Sequence, residues 1–387
     1  MIRLSFLLLG ALAVLALAAC TQPYSSPVIV REPGQQLAAN FLGLKDLIVK
    51  GAATNAEAQV LWTHGMCSHD ESWARDRIGR LEAVLGVPAV IRQPFREDDQ
   101  PYYLNATFNT PSGGLTVTFL IWSPMMRPYK ASLAFDMPGS NGDIAFPYTR
   151  ATLNGQLKTN LMNDCMSDAV VYSGKNGDPI RGAMQQAVCN FLGGVVATDH
   201  GVVSTCDLSG AKLDRPTAIV TESLGSKFIF DAVRAVWDHS QHAPVRRAGL
   251  ARRLAAISTV YLVSNQIPLL DLANPVPAAP SSLARFVALS SGRRAEIGVP
   301  RLTVVDFSDP NDLLSYRLLP AALDVRAAEL VNVTVSNDNT YFGFLERPDT
   351  AHCGYAWNRD VIGLIANGYR AGGPVPTAPP SQSGQCL

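Results

Sequence analysis

The sequence predicts an α/β fold with a mostly parallel central sheet and helices on both faces. Three observations carry that expectation. Short apolar runs of strand length alternate with helical stretches along much of the 387 residues. Most of those runs lack polar alternation, as strands covered on both faces require. Hydrophobic residues make up 47% of the chain, enough for a large core rather than disorder. The balance of 32 basic against 32 acidic side chains lacks the cationic excess that nucleic-acid binding needs. It also argues against steering of strongly charged substrates.

In chain order, Met1 to Cys20 comes first. Arg3 precedes an apolar run, Leu4 to Ala19, which is short for a bilayer span and leads into polar residues. It reads as a removable export signal over 1–19. Its end, Leu17-Ala18-Ala19-Cys20, resembles the lipobox of bacterial lipoproteins. That resemblance implies cleavage before Cys20 and acylation of Cys20, giving an exported chain on the periplasmic or cell-surface side of a membrane. An ordinary secretory signal with a chance cysteine is the competing reading. Residues 20–56 are then expected as a lipid-anchored tether and N-terminal extension. The α/β domain should occupy 57–370, and the Gly-, Pro- and Ser-rich segment 371–387 should form a flexible tail.

Within the domain, strands are expected over Gln59 to Thr63, Leu115 to Trp122, Ala218 to Thr221, Thr259 to Val263, Leu302 to Phe307 and Val331 to Val335. Helices are expected over Glu71 to Leu85, Ser226 to Asp238, Leu250 to Ile257 and Asn358 to Tyr369. The stretch 124–216 breaks the alternation. It reads as a partly helical insertion over the sheet, with a small separate domain as the alternative. Apart from Cys20 there are six cysteines, an even number that fits disulfides in an exported chain. No Cys-x-x-Cys pair, metal-ligand set or Gly-rich phosphate loop stands out, so neither metal nor cofactor is expected.

The chemistry concentrates in Ala218-Ile219-Val220-Thr221-Glu222-Ser223-Leu224-Gly225-Ser226. An apolar strand runs into a serine, and a glycine two positions later opens a helix. Such a turn thrusts the serine into a strained position and leaves the helix's first N–H groups free for a developing oxyanion. A helix N-cap is the bland reading of Ser223. Glu222, beside it, reads as a residue packed or hydrogen-bonded under the turn and stays unassigned. Upstream, Val60-Leu61-Trp62-Thr63-His64-Gly65-Met66 is a second apolar strand, ending in His-Gly.

Together these segments resemble the nucleophile elbow and the oxyanion loop of the α/β-hydrolase superfamily, with serine lipases and esterases among its members. The first glycine of the usual Gly-x-Ser-x-Gly is Thr221 here. The resemblance implies Ser223 as nucleophile, the amides of Met66 and Leu224 as oxyanion donors, and the order serine, acid, histidine. Downstream of Ser223, His239 and His242 lie near the end of the helix that follows, about 24 Å from the serine at ~1.5 Å per residue. That leaves His352, in a polar loop before the last helix, as base. Asp306, Asp309 and Asp312 are the acid candidates, with Asp312 preferred to Asp309 because two apolar residues follow it. If these groups converge, the loops carrying Cys67 and Cys353 meet, and a Cys67–Cys353 disulfide is expected. The implied activity is hydrolysis of a neutral or apolar, small-molecule or lipid-like ester through an acyl-enzyme. An amidase or thioesterase with the same triad, or an inactive scaffold of this fold, stands as the alternative.

Overall fold

The computed structural model describes residues 21–23, 29–31, 39–94, 96–136, 150–199, 202–211, 215–240, 244–273, 280–294, 299–323, 327–341 and 345–380. The expected signal over 1–19 and the expected lipidation site, Cys20, lie outside the described residues.

The strands are β1 (Thr21–Pro23), β2 (Ile29–Arg31), β3 (Phe41–Leu42), β4 (Ala58–Thr63), β5 (Ala89–Arg92), β6 (Tyr102–Thr110), β7 (Gly113–Ile121), β8 (Val195–Asp199), β9 (Val202–Asp207), β10 (Thr217–Glu222), β11 (Ile257–Val263), β12 (Leu302–Ser308), β13 (Ala328–Thr334), β14 (Asn339–Tyr341) and β15 (Gly368–Tyr369). Nine of them form one sheet in the order β2-β13-β12-β11-β10-β4-β7-β6-β5. The run from β13 to β7 is parallel throughout, and the antiparallel strands β2, β6 and β5 close the two edges. The architecture is therefore α/β, with a large, mostly parallel sheet flanked by helices.

Side chains alternate between two cores. Leu61, Ile219, Val260, Leu262 and Val304 face one, where Leu44–Ala53 is absent and the helices Asp178–Phe191, Gly225–His239 and Ser282–Ser291 pack. Val60, Trp62, Val220, Tyr261 and Val305 face the other, against the helices Leu44–Ala53, Glu71–Leu85 and Arg359–Asn367. Both faces are buried, so the strand sequences are apolar in both phases.

Several elements differ from the sequence expectation. Residues 89–92 and 102–110 add a hairpin at the edge; Tyr102, Leu104, Ala106 and Phe108 are buried in alternation, the pattern of a strand with one open face. The helix expected to reach Ile257 is Pro244–Ala255, and Ile257 already belongs to β11. The domain also starts before residue 57. Leu44, Leu47 and Ile48 are buried under the sheet, so this part of the expected extension belongs to the core. In the described part of the expected tail, residues 371–380, Ala378 is buried and exchanges backbone and side-chain hydrogen bonds with Arg359, while most of the others are exposed. The insertion 124–216 is partly helical, but it also carries the β8–β9 hairpin. Its Tyr172, Ile180 and Met184 share a core with Leu61 and Phe228, so it packs as part of the domain.

Strand order fixes where a site can form. From β4 the chain adds β7 on one side; it then returns to place β10 on the other side and proceeds outward through β13. Connections therefore diverge beyond the C-terminal ends of β4 and β10, opening the crevice that parallel sheets offer at such a reversal.

Candidate active site

Ser223 and His64-Gly65 sit at that crevice, one after β10 and the other after β4. Ser223 has φ +50°, a left-handed conformation that costs a non-glycine residue energy and is held here by its surroundings. Its amide donates to the Val263 carbonyl (2.8 Å), and its own carbonyl accepts from the Ser226 hydroxyl (2.7 Å). The close approaches fall on two glycines. A Cβ on Gly225 would lie 2.3 Å from the His64 carbonyl oxygen, and one on Gly65 would lie 2.6 Å from the Ser223 Cβ. Thr221, at the place of the motif's usual first glycine, is fully buried within β10.

Ser223 Oγ lies 3.1 Å from His352 Nε2. His352 Nδ1 faces both oxygens of Asp312, at 2.9 and 3.0 Å. Residues 129 and 40 positions apart are thus brought into one hydrogen-bonded line. His352 sits in the short helix Pro348–Cys353 rather than in a loop. Burial would push the Asp312 carboxyl up, but His352, the Leu314 amide and the Ser264 hydroxyl hold it below the usual carboxylate range. It is the anionic partner of His352.

Asp309 and Asp306 point elsewhere. Asp309 accepts from the amides of Asn311 (2.9 Å) and Asn337 (2.7 Å), which ties the loop after β12 to the loop after β13. Asp306, within β12, accepts from the Leu318 amide (2.7 Å), and burial pushes its carboxyl up to about 7.

Ser264, unforeseen in the sequence, completes the cluster. It follows β11 at φ +54°, donates to Asp312 Oδ2 (2.7 Å) and stands 2.9 Å from His352 Nδ1. Tyr355 adds a hydroxyl 3.2 Å from the same Asp312 oxygen. The available signal was a serine directly after an apolar strand, the same placement as Ser223 one strand away.

Leu224 follows Ser223 in the chain, and Met66 follows Gly65, whose Cβ position abuts Ser223. Among the described residues neither amide has a hydrogen-bond acceptor, so both remain available to a ligand. The Met66 loop is held from three directions. His64 Nε2 accepts from the Trp122 amide (3.0 Å), and Nδ1 donates to the Gly65 carbonyl (2.7 Å). Burial, with His69 beside it, keeps His64 neutral by depressing its pKa well below the usual imidazole range. His69 Nε2 lies 3.0 Å from the Met66 carbonyl; burial lowers its pKa to about 4. From the insertion, Asp168 accepts from the Cys67 amide (2.8 Å) and Asp164 from the Ser68 amide (2.9 Å), with Lys130 bridging the two carboxylates. Burial raises the Asp168 carboxyl to about 7.

The Cys67–Cys353 disulfide is not formed. Cys67 pairs with Cys165, and Cys189 pairs with Cys206. The reason is the insertion, whose Asp168 and Asp164 bind the Cys67 and Ser68 amides and so bring Cys165 to Cys67. Cys353 is disulfide-bonded too, but not to Cys67.

Glu222 lies beneath the turn. It accepts from the indoles of Trp62 (2.9 Å) and Trp73 (3.1 Å) and two-pronged from Arg77 (3.1 and 2.9 Å). Burial alone would raise it, yet Arg77 and the indoles hold its carboxyl below the usual range. It fastens β10 to β4 and to the helix Glu71–Leu85.

No protein-family model matches the chain, and no curated protein sequence matches it either. Among solved structures, the chain is similar to the crystal structure of acetyl xylan esterase 1 from Thermoanaerobacterium sp. JW/SL YS485. That likeness has 10% identity, covers 70% of this chain and 89% of that one, and has a TM-score of 0.18. At that score it says nothing about activity.

Proposed function

We propose that the chain is a serine hydrolase of the α/β-hydrolase kind, cleaving carboxylic esters of neutral or apolar substrates through an acyl-enzyme. The observation that carries this reading is the line Ser223 Oγ–His352 Nε2 (3.1 Å) and His352 Nδ1–Asp312 Oδ1 (2.9 Å), beside two unengaged amides. In this reading His352 removes the Ser223 proton as Oγ attacks the carbonyl carbon. The carbonyl oxygen gains negative charge and is met by the Met66 and Leu224 amides, fixed donors that need no reorganisation. The imidazolium next to Asp312 is stabilised by that carboxylate and gives its proton to the leaving alkoxide. Water then enters, loses its proton to His352 and releases the acid. Ser264 acts through Asp312, fixing the carboxylate against the imidazole.

Incubation with a fluorophosphonate probe tests this directly. Mass spectrometry should find the label on Ser223, and Ser223→Ala and His352→Ala should remove it. Folded, unlabelled wild type would turn the reading to a scaffold with a hydrolase-like fold.

We also propose that Cys20 is acylated and that the protein works on the exported side of a membrane. The disulfides Cys67–Cys165 and Cys189–Cys206, with Cys353 disulfide-bonded as well, support an oxidising compartment, since such bonds do not persist where thiols are kept reduced. Cys20→Ala should move the protein from the membrane fraction to the soluble exported fraction. Unchanged membrane retention would remove the anchor from Cys20.

A further inference from the structure

The loop that follows β4 is tied along its length except at one amide. The Gly65 carbonyl accepts from His64 Nδ1 (2.7 Å) and the Met66 carbonyl from His69 Nε2 (3.0 Å). The Cys67 amide donates to Asp168 (2.8 Å), the Ser68 amide to Asp164 (2.9 Å) and the His69 amide to the Ser123 hydroxyl (2.9 Å). That hydroxyl in turn donates to the Cys67 carbonyl (3.0 Å). Of the amides at 66–69, only that of Met66 has no acceptor among the described residues. This free donor follows Gly65, the residue packed on Ser223.

Cys67, the next residue, has φ +81°. A residue with a side chain stays in this left-handed region only where its surroundings hold it. Two of the holds come from the insertion: the Cys165 sulfur and the Asp168 carboxylate. The Met66–Cys67 peptide is thereby pinned at both ends, its carbonyl by His69 and its N–H by Asp168. Asp168, in the helix Ser167–Ser173, is fully buried and accepts from the Cys67 amide and from Lys130 (3.2 Å). Lys130, on the helix Arg127–Ala131, also pairs with Asp164 (2.9 Å). A buried ion pair adds little stability that packed apolar side chains would not. What this one adds is direction: a fixed acceptor for one backbone amide, next to the free Met66 donor.

We propose that Asp168 is a positioning residue for ester hydrolysis, acting from the insertion through Cys67 to hold the Met66 amide where the oxyanion forms. The proposal rests on the serine hydrolase reading above and gives the insertion a part in that reaction. Without the Asp168 acceptor, the Cys67 amide must turn toward another partner. The strained φ of Cys67 relaxes with that turn, and Met66, the preceding residue, moves with it. A shift of about 1 Å at a group that meets the transition state costs about a hundredfold in rate, the scale of losing one oxyanion donor.

The test compares a p-nitrophenyl ester with its thionoester. Sulfur accepts hydrogen bonds poorly, so the ratio of the two kcat/KM values reads the oxyanion contacts rather than the fold. Asp168→Ala should lower kcat/KM on the ester about a hundredfold and the ratio at least about tenfold. Asp168→Asn keeps an oxygen for the Cys67 amide but sets its NH₂ against the Lys130 ammonium, so it should lose about tenfold on the ester, with a smaller fall in the ratio. Cys189→Ser with Cys206→Ser removes the insertion's other disulfide; it should lower Tm and leave the ratio unchanged. Wild-type kcat/KM in Asp168→Ala overturns the proposal, as does a loss shared equally by ester and thionoester, which makes the role of Asp168 structural. If the alanine variant does not fold, Asp168→Asn decides, and a wild-type ratio there overturns the proposal. Fluorophosphonate labelling of Ser223 is read on the same samples. Labelled, active wild type with an unchanged ratio in the Asp168 variants discards the positioning role alone. Wild type with neither label nor turnover discards the hydrolase, and the positioning role with it.

Discussion

Ser223→Ala should lower kcat on p-nitrophenyl acetate by about 10⁶-fold, the scale seen when a triad nucleophile is removed. The geometry makes this a clean measurement. Alanine keeps the Cβ that Gly65 accommodates and removes only Oγ, whose one side-chain partner in the site is His352. The backbone bonds of residue 223 to Val263 and Ser226 remain, so the left-handed turn has the same supports. A melting curve close to that of wild type would confirm an intact fold. His352→Ala should cost a similar factor, and the double variant little more, because nucleophile and base act as one unit. In the proposed mechanism a residual rate over water should persist, since the Met66 and Leu224 amides would still stabilise an oxyanion formed by attacking water. Activity of Ser223→Ala within tenfold of wild type would place the nucleophile elsewhere.

The parts of this arrangement that were legible in the sequence share a physical basis. The six parallel strands are buried on both faces, so each appears as an apolar run, and the helix Glu71–Leu85 is bounded by the Asp70 cap and by Gly86 in a left-handed C-cap. Ser223, His352 and Asp312 were placed by the triad order that the hydrolase resemblance implies and by the elements they follow. What was not legible depends on contacts distant in sequence. Cys165 is chosen as the partner of Cys67 because Asp164 and Asp168 draw the loop 66–69 toward the insertion, and no local pattern encodes that docking. Ser264 gains its meaning only when β11 is laid beside β10. The edge strands β5 and β6 expose one face to water, so their composition falls between strand and loop. Helix Leu44–Ala53 follows a polar stretch and was absorbed into an expected tether, although Leu44, Leu47 and Ile48 read out an apolar face.

Asp312→Asn should lower kcat about 10⁴-fold while leaving the site assembled. Both carboxylate oxygens face His352 Nδ1, at 2.9 and 3.0 Å, so Nδ1 carries the proton and Nε2 offers its lone pair to Ser223. An asparagine can turn its NH₂ toward Nδ1, which then accepts; the imidazole proton moves to Nε2, and the base is lost. The carboxylate also stabilises the imidazolium formed as Ser223 attacks, and a neutral amide does not. The surroundings set the orientation: the Leu314 amide donates to Oδ1 (3.0 Å), so the asparagine oxygen stays there and its nitrogen takes the Oδ2 place, 3.0 Å from His352 Nδ1, where the Ser264 and Tyr355 hydroxyls can turn to accept. Asp309→Asn provides the contrast. Its oxygens accept from the Asn311 and Asn337 amides, so one NH₂ would face an N–H donor. The expected cost is stability, about 1–3 kcal/mol for the orphaned donor, read as a lower Tm with kcat within about tenfold of wild type. The two variants thus separate a carboxylate that acts on His352 from one that ties two loops together. A large loss of kcat in Asp309→Asn with a small one in Asp312→Asn would exchange their roles and leave Ser223 and His352 standing.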